Sequence, residues 1–367
     1  MKILFDHQAF SNQDYGGVSR YFYELYRGIN NLPGFQVELP ILFSNNIYLK
    51  ESHSTVRPFF KGIHVPKKVP IIKFINKSNT EISFKNFQFS LYHPTHYDTY
   101  LLDKIGKKPI VITVHDMIHE KLGNKYSISK DTNTINFKKK SVERADKIIA
   151  VSQSTKNDLI EILDIPSDRV EVIYHGSSIP IVTIDNNSTR VHAKPYILYL
   201  GTRRHYKNFD IFIEAIAPIL KEFDIDLICG GGGNLSSNEL ELIKKFGIEH
   251  YVYQKKIDDD HLQLLYRQAI GFVFPSLYEG FGIPVLEAFS CGCPCVISNT
   301  SSLPEVGGNA ALYFDPTSVE SMQYSIRQLL NSSALREELT TLGFERLKLF
   351  SWNTTVDQTV TLYKSLL

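Results

Sequence analysis

A strand, a glycine-rich turn and a helix follow one another within residues 271–289, and this unit restricts the chain to a small group of folds. Residues 271–274 (GFVF) are short, apolar and aromatic, as in a buried strand. The turn reads PSLYEGFG, and Pro284 suits the first turn of the following helix, where its missing N–H costs nothing. A Cys-Gly pair and a further proline then end that helix.

The same alternation of apolar strands and helical stretches runs through both halves of the chain. Helical spacing is present, for example, at 18–30 and 133–145. The predicted strands are 2–7, 37–43, 89–94, 109–116 and 146–152 in the first half, and 196–201, 223–231, 252–256, 271–276 and 293–299 in the second. Alternating strands and helices favour an α/β fold, with two Rossmann-like doubly wound parallel-sheet domains facing across a cleft.

A polar stretch without hydrophobic periodicity, residues 181–194, separates the two sets of strands and predicts a linker. At 367 residues the chain has the length of roughly two domains. We therefore expect one domain over 1–185, a second over 186–350, and a C-terminal helix over 351–367.

Two carboxylates lie on either side of the Gly-Phe-Gly segment 280–282, which ends the turn. Glu279 directly precedes this segment, and Glu287 lies within the helix. A glycine-rich turn at a helix N-terminus presents backbone N–H groups to an anion. Acids beside such a phosphate site are suited to accept hydrogen bonds from hydroxyls of a sugar and a ribose. The pattern predicts a nucleotide-sugar site.

The chain resembles the family 4 retaining glycosyltransferases of the GT-B architecture. Its Glu279 and Glu287 match the E-x7-E element of that family, within a longer matching run from residue 274 to 305. Three further stretches agree in order: Tyr15-Gly16-Gly17-Val18, Thr113-Val114-His115-Asp116, and Gly201-Thr202-Arg203-Arg204 with Lys207-Asn208. The N-terminal FDHQAF…YGGVSRYFYEL pattern is similar to bacterial mannosyltransferases that build surface polysaccharides.

The resemblance implies that the second domain binds the donor. It assigns Glu279 to the hydroxyls of the donor sugar and Glu287 to the ribose. Phe281 and Gly282 supply backbone amides near the diphosphate. From the residues alone, Glu287 remains open to a second interpretation as an exposed helix residue.

Cations after the strand 196–201 are assigned to the diphosphate, where negative charge grows as the leaving group departs. Lys207 is one of them, and one of the adjacent Arg203 and Arg204 is the other. We favour Arg203 for this contact.

The resemblance places further residues on the first, acceptor-side domain. Gly16 and Gly17 let the backbone approach the donor phosphate, although an isolated glycine pair also marks a plain turn. His115 ends a strand and is assigned to a position near the transferred sugar, with a hydrogen-bonded core histidine as the alternative. Weaker acceptor-side candidates are His96, Tyr97 and Asp116.

We expect no metal and no cofactor. The D-x-D sequences at 258–260 and 224–226 resemble metal motifs of another glycosyltransferase fold, but the first suits a helix N-terminus and the second a strand start. Cys293 and Cys295 are expected to be reduced core thiols.

Charge and hydropathy limit the partners. The net charge is +1, which argues against nucleic acid as a partner. Residues 1–185 hold 24 Lys and Arg against 19 Asp and Glu, a small excess that suits anionic lipid headgroups or equally a solvated surface. We find no signal peptide and no apolar run long enough for a membrane span. We expect a cytoplasmic protein, with peripheral association at the inner face of the membrane left open.

These features together predict a retaining, metal-independent hexosyltransferase. Its donor is a nucleotide-diphosphate sugar, with GDP-mannose as the first expectation, and its acceptor a glycan or a polyprenyl-diphosphate-linked glycan. A UDP- or dTDP-sugar-dependent transferase and a sugar-nucleotide epimerase of the same architecture are the alternatives. A glycosidase fits less well, because retaining hydrolysis needs its two carboxylates only ~5 Å apart. A sugar-binding protein would not need the cations.

Overall fold

The chain forms two compact units, and its C-terminal helix belongs to the first of them: Met1–Gly176 with Trp352–Leu367, and Ser177–Ser351. The computed structural model describes residues 1–50, 56–60, 68–126, 132–181, 190–203, 205–257 and 259–367. Of the predicted linker 181–194, residues 182–189 lie outside the described residues.

The first unit alternates parallel strands with helices. Its strands are β1 (Lys2–Leu4), β2 (Gln36–Glu38), β3 (Leu91–Tyr92), β4 (Val111–Val114), β5 (Lys147–Ala150) and β6 (Val170–Val172). Its helices are α1 (Gln8–Asn12), α2 (Gly17–Asn30), α3 (Lys68–Asn86), α4 (Ile118–Tyr126), α5 (Thr132–Arg144), α6 (Gln153–Leu163) and α14 (Trp352–Lys364). The strands pair in the orders β2-β1-β3 and β4-β5-β6, and a parallel bridge between Tyr92 and Ile110 joins the two sets.

The helix α14 is held in the first unit by close packing on α2. Tyr21, Phe22 and Leu25 of α2 share a buried core with apolar residues of α14. A Cβ atom on Gly28 would lie 2.5 Å from Val356 Cγ2, so a glycine is needed for the two helices to approach this closely. Each large apolar side chain buried in this way stabilises the fold by about 1.5–3 kcal/mol.

The second unit contains one parallel sheet with helices between its strands. The strands are β7 (Tyr196–Leu200), β8 (Asp226–Gly230), β9 (Val252–Lys255), β10 (Gly271–Phe274), β11 (Cys295–Ser298) and β12 (Ala311–Phe314). The helices are α7 (Phe209–Phe223), α8 (Ser237–Lys245), α9 (Asp259–Gln268), α10 (Ile283–Ser290), α11 (Leu303–Gly307), α12 (Val319–Asn331) and α13 (Ser333–Leu347).

The strand order β12-β11-β10-β7-β8-β9 is that of a doubly wound Rossmann sheet. The winding direction reverses between β7 and β10, which are neighbours in register, with Gly271 opposite Ile197 and Phe272 opposite Leu198. In such sheets ligands bind beside the carboxyl ends of the strands at the point of reversal. The second unit therefore has its expected ligand position in the loops that follow β7 and β10.

The α/β prediction is confirmed, and each of the ten predicted strands overlaps an observed strand. Strands β6 and β12 were not predicted. Both lie at sheet edges and include partly exposed positions. The sequence of β6, VEV, has a glutamate at its centre, whereas that of β12, ALYF, is apolar throughout and was overlooked. The four cysteines are free and buried, in agreement with the prediction for Cys293 and Cys295.

Candidate active site

Two of the predicted site residues, Lys207 and Glu279, meet at the reversal point of the second sheet. Lys207 follows β7 and Glu279 follows β10, and the Nζ atom of the first lies 2.6 Å from Oε1 of the second. Both side chains are mostly buried, with 16% and 12% of their surfaces exposed. Two residues that are 72 positions apart in sequence thus form a close ion pair beside the strand ends.

Aromatic rings fix the ammonium group of Lys207 in addition to the carboxylate. Its Nζ atom lies 5.2 Å from the ring centroid of Phe274 and 5.1 Å from that of Tyr206, which are cation–π distances. The residue belongs to a short 3₁₀ turn, His205–Lys207, and the next residue, Asn208, has a φ of 58°. The side chain of Asn208 donates to Pro316 O at 2.7 Å, which holds this unusual backbone in place.

The backbone around Glu279 is held by two serines that sequence reasoning did not identify. The N–H of Glu279 donates to Ser301 Oγ at 2.9 Å, while Ser302 Oγ donates to Glu279 O and Phe281 O, each at 2.9 Å. Ser301 has a φ of 52°. The signal was present in the SS pair that follows β11, but its spacing from Glu279 carries no information without the fold.

Gly282 starts helix α10 in a conformation that favours glycine, with φ 109° and ψ 45°. A Cβ atom there would lie 2.8 Å from Leu303 Cδ2. No side chain caps this helix start. Pro284 has no N–H and Val285 N donates to Gly282 O at 2.9 Å, so the N–H of Ile283 is the first-turn amide suited to an anion. The ring of Phe281 is buried and packs edge-on against Phe350 at 5.8 Å, which leaves its backbone as the part suited to a ligand.

Glu287 lies within α10, is half-buried and accepts a hydrogen bond from Tyr266 Oη at 3.1 Å. The same hydroxyl lies 3.0 Å from Pro284 O. Burial, reinforced by Glu287, raises the pKa of Tyr266 well above its usual value. The carboxylate of Glu287 is therefore oriented by a neutral phenol. The alternative interpretation of Glu287 as an exposed helix residue does not describe this position.

Arg203 does not provide the free cation that we favoured. Its side chain is 1% exposed, and its Nε donates to Glu239 Oε1 at 3.0 Å. The remaining guanidinium nitrogens donate to four carbonyl oxygens, those of Gly231, Gly232, Gly233 and Asn234. This buried fork holds the glycine loop after β8, so its donors are occupied. Arg204, the alternative, lies outside the described residues.

In the first unit, Gly16 and Gly17 stand at the start of helix α2. Gly16 has a φ of 156° and ψ of 167°, and Gly17 is the first helical residue. The side chain of Gln13 reaches this helix start, since its Oε1 accepts from Ser19 N at 3.2 Å. The pair thus forms a turn that opens a helix, the geometry on which the phosphate prediction depends.

His115 lies at the end of β4 in a cluster of rings. Its ring stacks on His175 at 5.8 Å with 3° between the planes, and it meets Tyr21 edge-on at 5.2 Å. Its backbone N–H donates to Tyr97 Oη at 3.3 Å. Burial lowers the pKa of His115 to about 3, so its imidazole is neutral, and its Nε2 has no hydrogen-bond partner among the described residues.

The weaker acceptor-side candidates surround the same strand end. The rings of His96 and Tyr97 lie 4.8 Å apart, and burial lowers the pKa of His96 and raises that of Tyr97. Asp116 Oδ1 accepts from Ile118 N at 3.1 Å and so caps the start of α4. The structure brings these three side chains into the neighbourhood of His115.

Lys138, which sequence analysis did not single out, holds the loop between β4 and α4 in place. It is buried, and its Nζ donates to Asp116 O at 3.0 Å and to Glu120 Oε2 at 2.9 Å. It also lies 5.4 Å from the ring centroid of Tyr97. The signal was weak, because Lys138 is the first of three consecutive lysines in a helix.

The D-x-D sequences have local partners where they are described. Asp224 pairs with Lys194 at 2.6 Å, and Asp226 Oδ2 lies 2.6 Å from His192 Nε2. Asp258 lies outside the described residues, and α9 begins at Asp259. Within the described part of the chain, no three His, Cys, Asp or Glu side chains are grouped as metal ligands. The described helices also include none that is long and apolar enough to cross a membrane.

Comparisons with known proteins agree with this geometry. Two family models match the chain, one described as Glycosyltransferase Family 4 over residues 15–179 and one as Glycosyl transferases group 1 over 182–346. A relative, O-antigen chain mannosyltransferase B of Escherichia coli, is 33% identical over 241 residues, which are 62% of this chain and 62% of that protein. The chain thus spans less than two thirds of the length of this relative.

Solved structures match the whole chain. Sucrose-phosphate synthase from Thermosynechococcus elongatus superposes with a TM-score of 0.77 at 20% identity, covering 100% of this chain and 98% of that one. Anabaena HepE, in complex with UDP and glucose, gives a TM-score of 0.73 at 17% identity and covers 100% of both chains. The fold is that of the GT-B glycosyltransferases. The two family models each match just under half of the chain and together most of its length, so the chain is similar to glycosyltransferases in both of its units.

Proposed function

We propose that the chain transfers a mannosyl residue from GDP-mannose to a hydroxyl of a glycan, or of a glycan carried on a polyprenyl diphosphate, with retention of configuration and without a metal ion. The observation that carries the proposal is the Lys207–Glu279 pair at the reversal point of the second sheet. Mannose is the favoured sugar because the Escherichia coli relative is a mannosyltransferase by name.

The pair joins the two kinds of group that a nucleotide-sugar donor requires. A diphosphate needs a cation and N–H donors, and the groups suited to this role are Lys207 and the N–H of Ile283 at the start of α10. Sugar hydroxyls need acceptors, and the ionised carboxylate of Glu279 accepts only. When the donor binds, the ammonium group of Lys207 pairs with the diphosphate, and the carboxylate of Glu279 accepts a hydrogen bond from a sugar hydroxyl.

Catalysis in this proposal rests on positioning and charge stabilisation. Lys207 stabilises the charge that develops on the leaving diphosphate. The rings of Phe274 and Tyr206 restrict movement of its ammonium group toward solvent. The departing phosphate oxygen helps to take the proton of the acceptor hydroxyl, as the family resemblance implies. The protein then provides orientation for both partners rather than a nucleophile.

Donor choice is tested with the purified chain and a panel of GDP-mannose, UDP-glucose, UDP-galactose and dTDP-rhamnose, each with a polyprenyl-diphosphate-linked glycan. We expect transfer from GDP-mannose and an α-linked product by NMR. Transfer from a UDP or dTDP sugar alone would replace the donor, and a β-linked mannosyl product from the α-configured GDP-mannose would exclude retention. Conversion of a sugar nucleotide without any acceptor would favour the epimerase.

Metal independence is tested in the same assay. Transfer is expected to persist in excess EDTA, because Lys207 meets the leaving-group charge. Loss of transfer on chelation, restored by Mg²⁺ or Mn²⁺, would contradict this part of the proposal. A calcium-loaded EDTA control separates chelation from an effect of the chelator itself.

A further inference from the structure

A pocket of about 410 Å³ lies within the first unit, between the segment 10–15 and the first turns of helix α3. Its volume is within the range of about 300–1,000 Å³ that small-molecule sites occupy. The walls combine apolar side chains with polar and charged ones, chiefly Phe10, Val69 and Ile72 with Asn12, Asp14 and Lys68. We call it the 10–15 pocket. The acceptor-side candidates His96, Tyr97 and Asp116 do not line it.

The 10–15 pocket lies at the same strand edge as His115. Strands β1 and β3 are parallel, and a parallel bridge continues their order to β4. The segments that follow parallel strands lie along one edge of a sheet. The N–H of Ala9, after β1, donates to Thr95 Oγ1, after β3, at 3.0 Å. The pocket is therefore a second feature of this edge, beside the cluster around His115.

Hydrogen bonds hold the backbone of the segment 10–15 in one conformation. Three donors of the segment 44–47 bond to its carbonyl oxygens: Ser44 Oγ to Phe10 O at 2.7 Å, Asn46 Nδ2 to Gln13 O at 2.8 Å, and Ile47 N to Asp14 O at 3.0 Å. A ligand that binds to groups fixed in advance loses less free energy to ordering. This wall of the pocket is therefore preorganised.

The side chains on this wall are available to a ligand, although the backbone oxygens are occupied. Asn12, Asp14 and Tyr15 are exposed, and their side chains have no hydrogen-bond or ion-pair partner in the part of the chain that the structure describes. Tyr15 is 73% exposed. Its ring offers a flat apolar face with a polar tip.

The charges around the pocket favour a ligand without net charge. Asp14 contributes a carboxylate and Lys68 an ammonium group, so the two oppose each other. The Nζ atom of Lys68 already donates to Phe60 O at 3.0 Å. An anion would meet repulsion from Asp14. Hydroxyl groups fit better, because a carboxylate accepts hydrogen bonds and the amide of Asn12 both donates and accepts.

We propose that the 10–15 pocket binds a neutral hexopyranose unit of the acceptor glycan, beyond the unit that receives the transferred sugar. Such a ring has C–H groups on its faces and hydroxyls around its rim. The C–H groups pack on Tyr15 and the apolar wall at Val69, and the hydroxyls bond to Asp14 and Asn12. The inference rests on the proposed function, because its occupant is part of that acceptor.

Binding is tested by saturation-transfer NMR with the purified chain and two neutral oligosaccharides, α-linked mannotriose and maltotriose, in the absence of donor. We expect saturable binding of at least one of them. Y15A is expected to weaken it about tenfold, because the aromatic face is lost, whereas Y15F keeps the ring and should stay within about twofold of the wild type. D14A is expected to weaken it about tenfold or more.

Matched controls remove similar groups from other surfaces. Y324A removes a tyrosine that is 66% exposed on α12, and D357A removes an exposed carboxylate from α14. Both are expected to bind like the wild type. The proposal is overturned if neither oligosaccharide binds the wild type saturably, or if controls and pocket variants lose equally. It is also wrong if inorganic diphosphate binds instead and D14A strengthens that binding, since the pocket then takes an anionic group.

The same variants separate this inference from the proposed function, because NMR binding needs neither donor nor transfer. In transfer assays Y15A is expected to raise KM for the trisaccharide acceptor about tenfold and to leave kcat and the KM of methyl α-mannoside unchanged. Oligosaccharide binding without transfer from any donor would contradict the proposed function alone. Transfer with an unchanged trisaccharide KM in Y15A would contradict this inference alone.

Discussion

Lys207 shows how neighbouring side chains can hold a charge ready for a ligand. Its ammonium group is balanced by Glu279 at 2.6 Å and lies near the rings of Phe274 and Tyr206. Low exposure strengthens every electrostatic interaction at this position, because the local dielectric is lower than that of water. A diphosphate that displaces the carboxylate therefore meets a cation that is already in place.

Replacement of Glu279 by alanine is expected to lower kcat about 10²–10³-fold, because the donor sugar loses its fixed acceptor. The free energy of unfolding is expected to fall by only about 1–3 kcal/mol, the contribution of one charged hydrogen bond. Steady-state kinetics and urea unfolding measure the two effects. E222A, which breaks the exposed pair with Arg327, is the control and should leave kcat unchanged. Wild-type turnover in Glu279→Ala would contradict the assignment.

Arg203 is expected to contribute to the stability of the fold rather than to contact the donor. Arg203→Ala removes the donors to the carbonyl oxygens of the glycine loop and leaves Glu239 without its partner, so a loss of about 3–5 kcal/mol in unfolding free energy is expected. Arg203→Lys should not restore it, because an ammonium group lacks the planar fork. Urea unfolding checks both variants. A stable Arg203→Ala protein with weakened nucleotide binding would instead support the original assignment of Arg203 to the diphosphate.

At the scale of single residues, the sequence singled out Glu279 and Lys207 as candidates but could not predict that they pair. Glu279 and Lys207 were recognisable because they lie in loops directly after apolar strands. That the two loops are neighbours follows from the strand order, in which β10 pairs with β7, and no local pattern encodes that order. The burial of Arg203 was equally invisible, since its acceptors are backbone carbonyls of a distant loop.

Among the elements, the carboxyl ends of strands β3, β4 and β6 bring three histidines, His93, His115 and His175, together in the first unit. His93 Nε2 lies 2.9 Å from Thr113 Oγ1, and its Nδ1 lies 2.5 Å from Tyr363 Oη of α14. Burial lowers the pKa of His93 and of His115 to about 3, and that of His175 well below its usual value. These rings are neutral in the folded protein.

Stability of the first unit should therefore fall in mild acid. Between pH 3 and 6.5 the unfolded chain binds protons on these histidines that the folded chain does not. Each such histidine adds a slope of about 1.4 kcal/mol per pH unit, and its contribution is complete above pH 6.5 and lost as pH falls. Urea unfolding from pH 5 to 7.5 measures the slope. H115F keeps the ring stack and should reduce the slope by about one proton; an unchanged slope would mean that His115 does not titrate on unfolding.

Strands with strong apolar runs were predictable, whereas β6 and β12 at sheet edges were missed. The strand YILYL (β7) is buried along its whole length, and a local pattern suffices to find it. Strand β6 is the opposite case, because only one of its three residues is fully buried and its pairing with β5 supplies the rest. The burial of Asn76 in α3 was also unpredictable, since it depends on backbone partners from residues 42 and 43.

The whole molecule divides the proposed chemistry between its units. The second unit holds the Lys207–Glu279 pair and the start of α10, which are suited to the nucleotide and its sugar. The first unit holds His115 with its neutral ring cluster and the helix α3. This division predicts that changes in the first unit affect transfer, whereas changes in the second also affect nucleotide binding.

His115→Ala tests this division. In our proposal the nucleotide binds to the second unit, so its dissociation constant is expected to change less than about threefold, while kcat falls about 10²-fold because the transferred sugar loses a positioning contact. Glu287→Ala is the complementary variant and should weaken nucleotide binding, because the ribose loses its hydrogen-bond acceptor. Isothermal titration with GDP and steady-state transfer assays measure the two quantities, and circular dichroism verifies that both variants fold. Equal losses of affinity and transfer in His115→Ala would show that the histidine is structural, and its assignment near the transferred sugar would then be wrong.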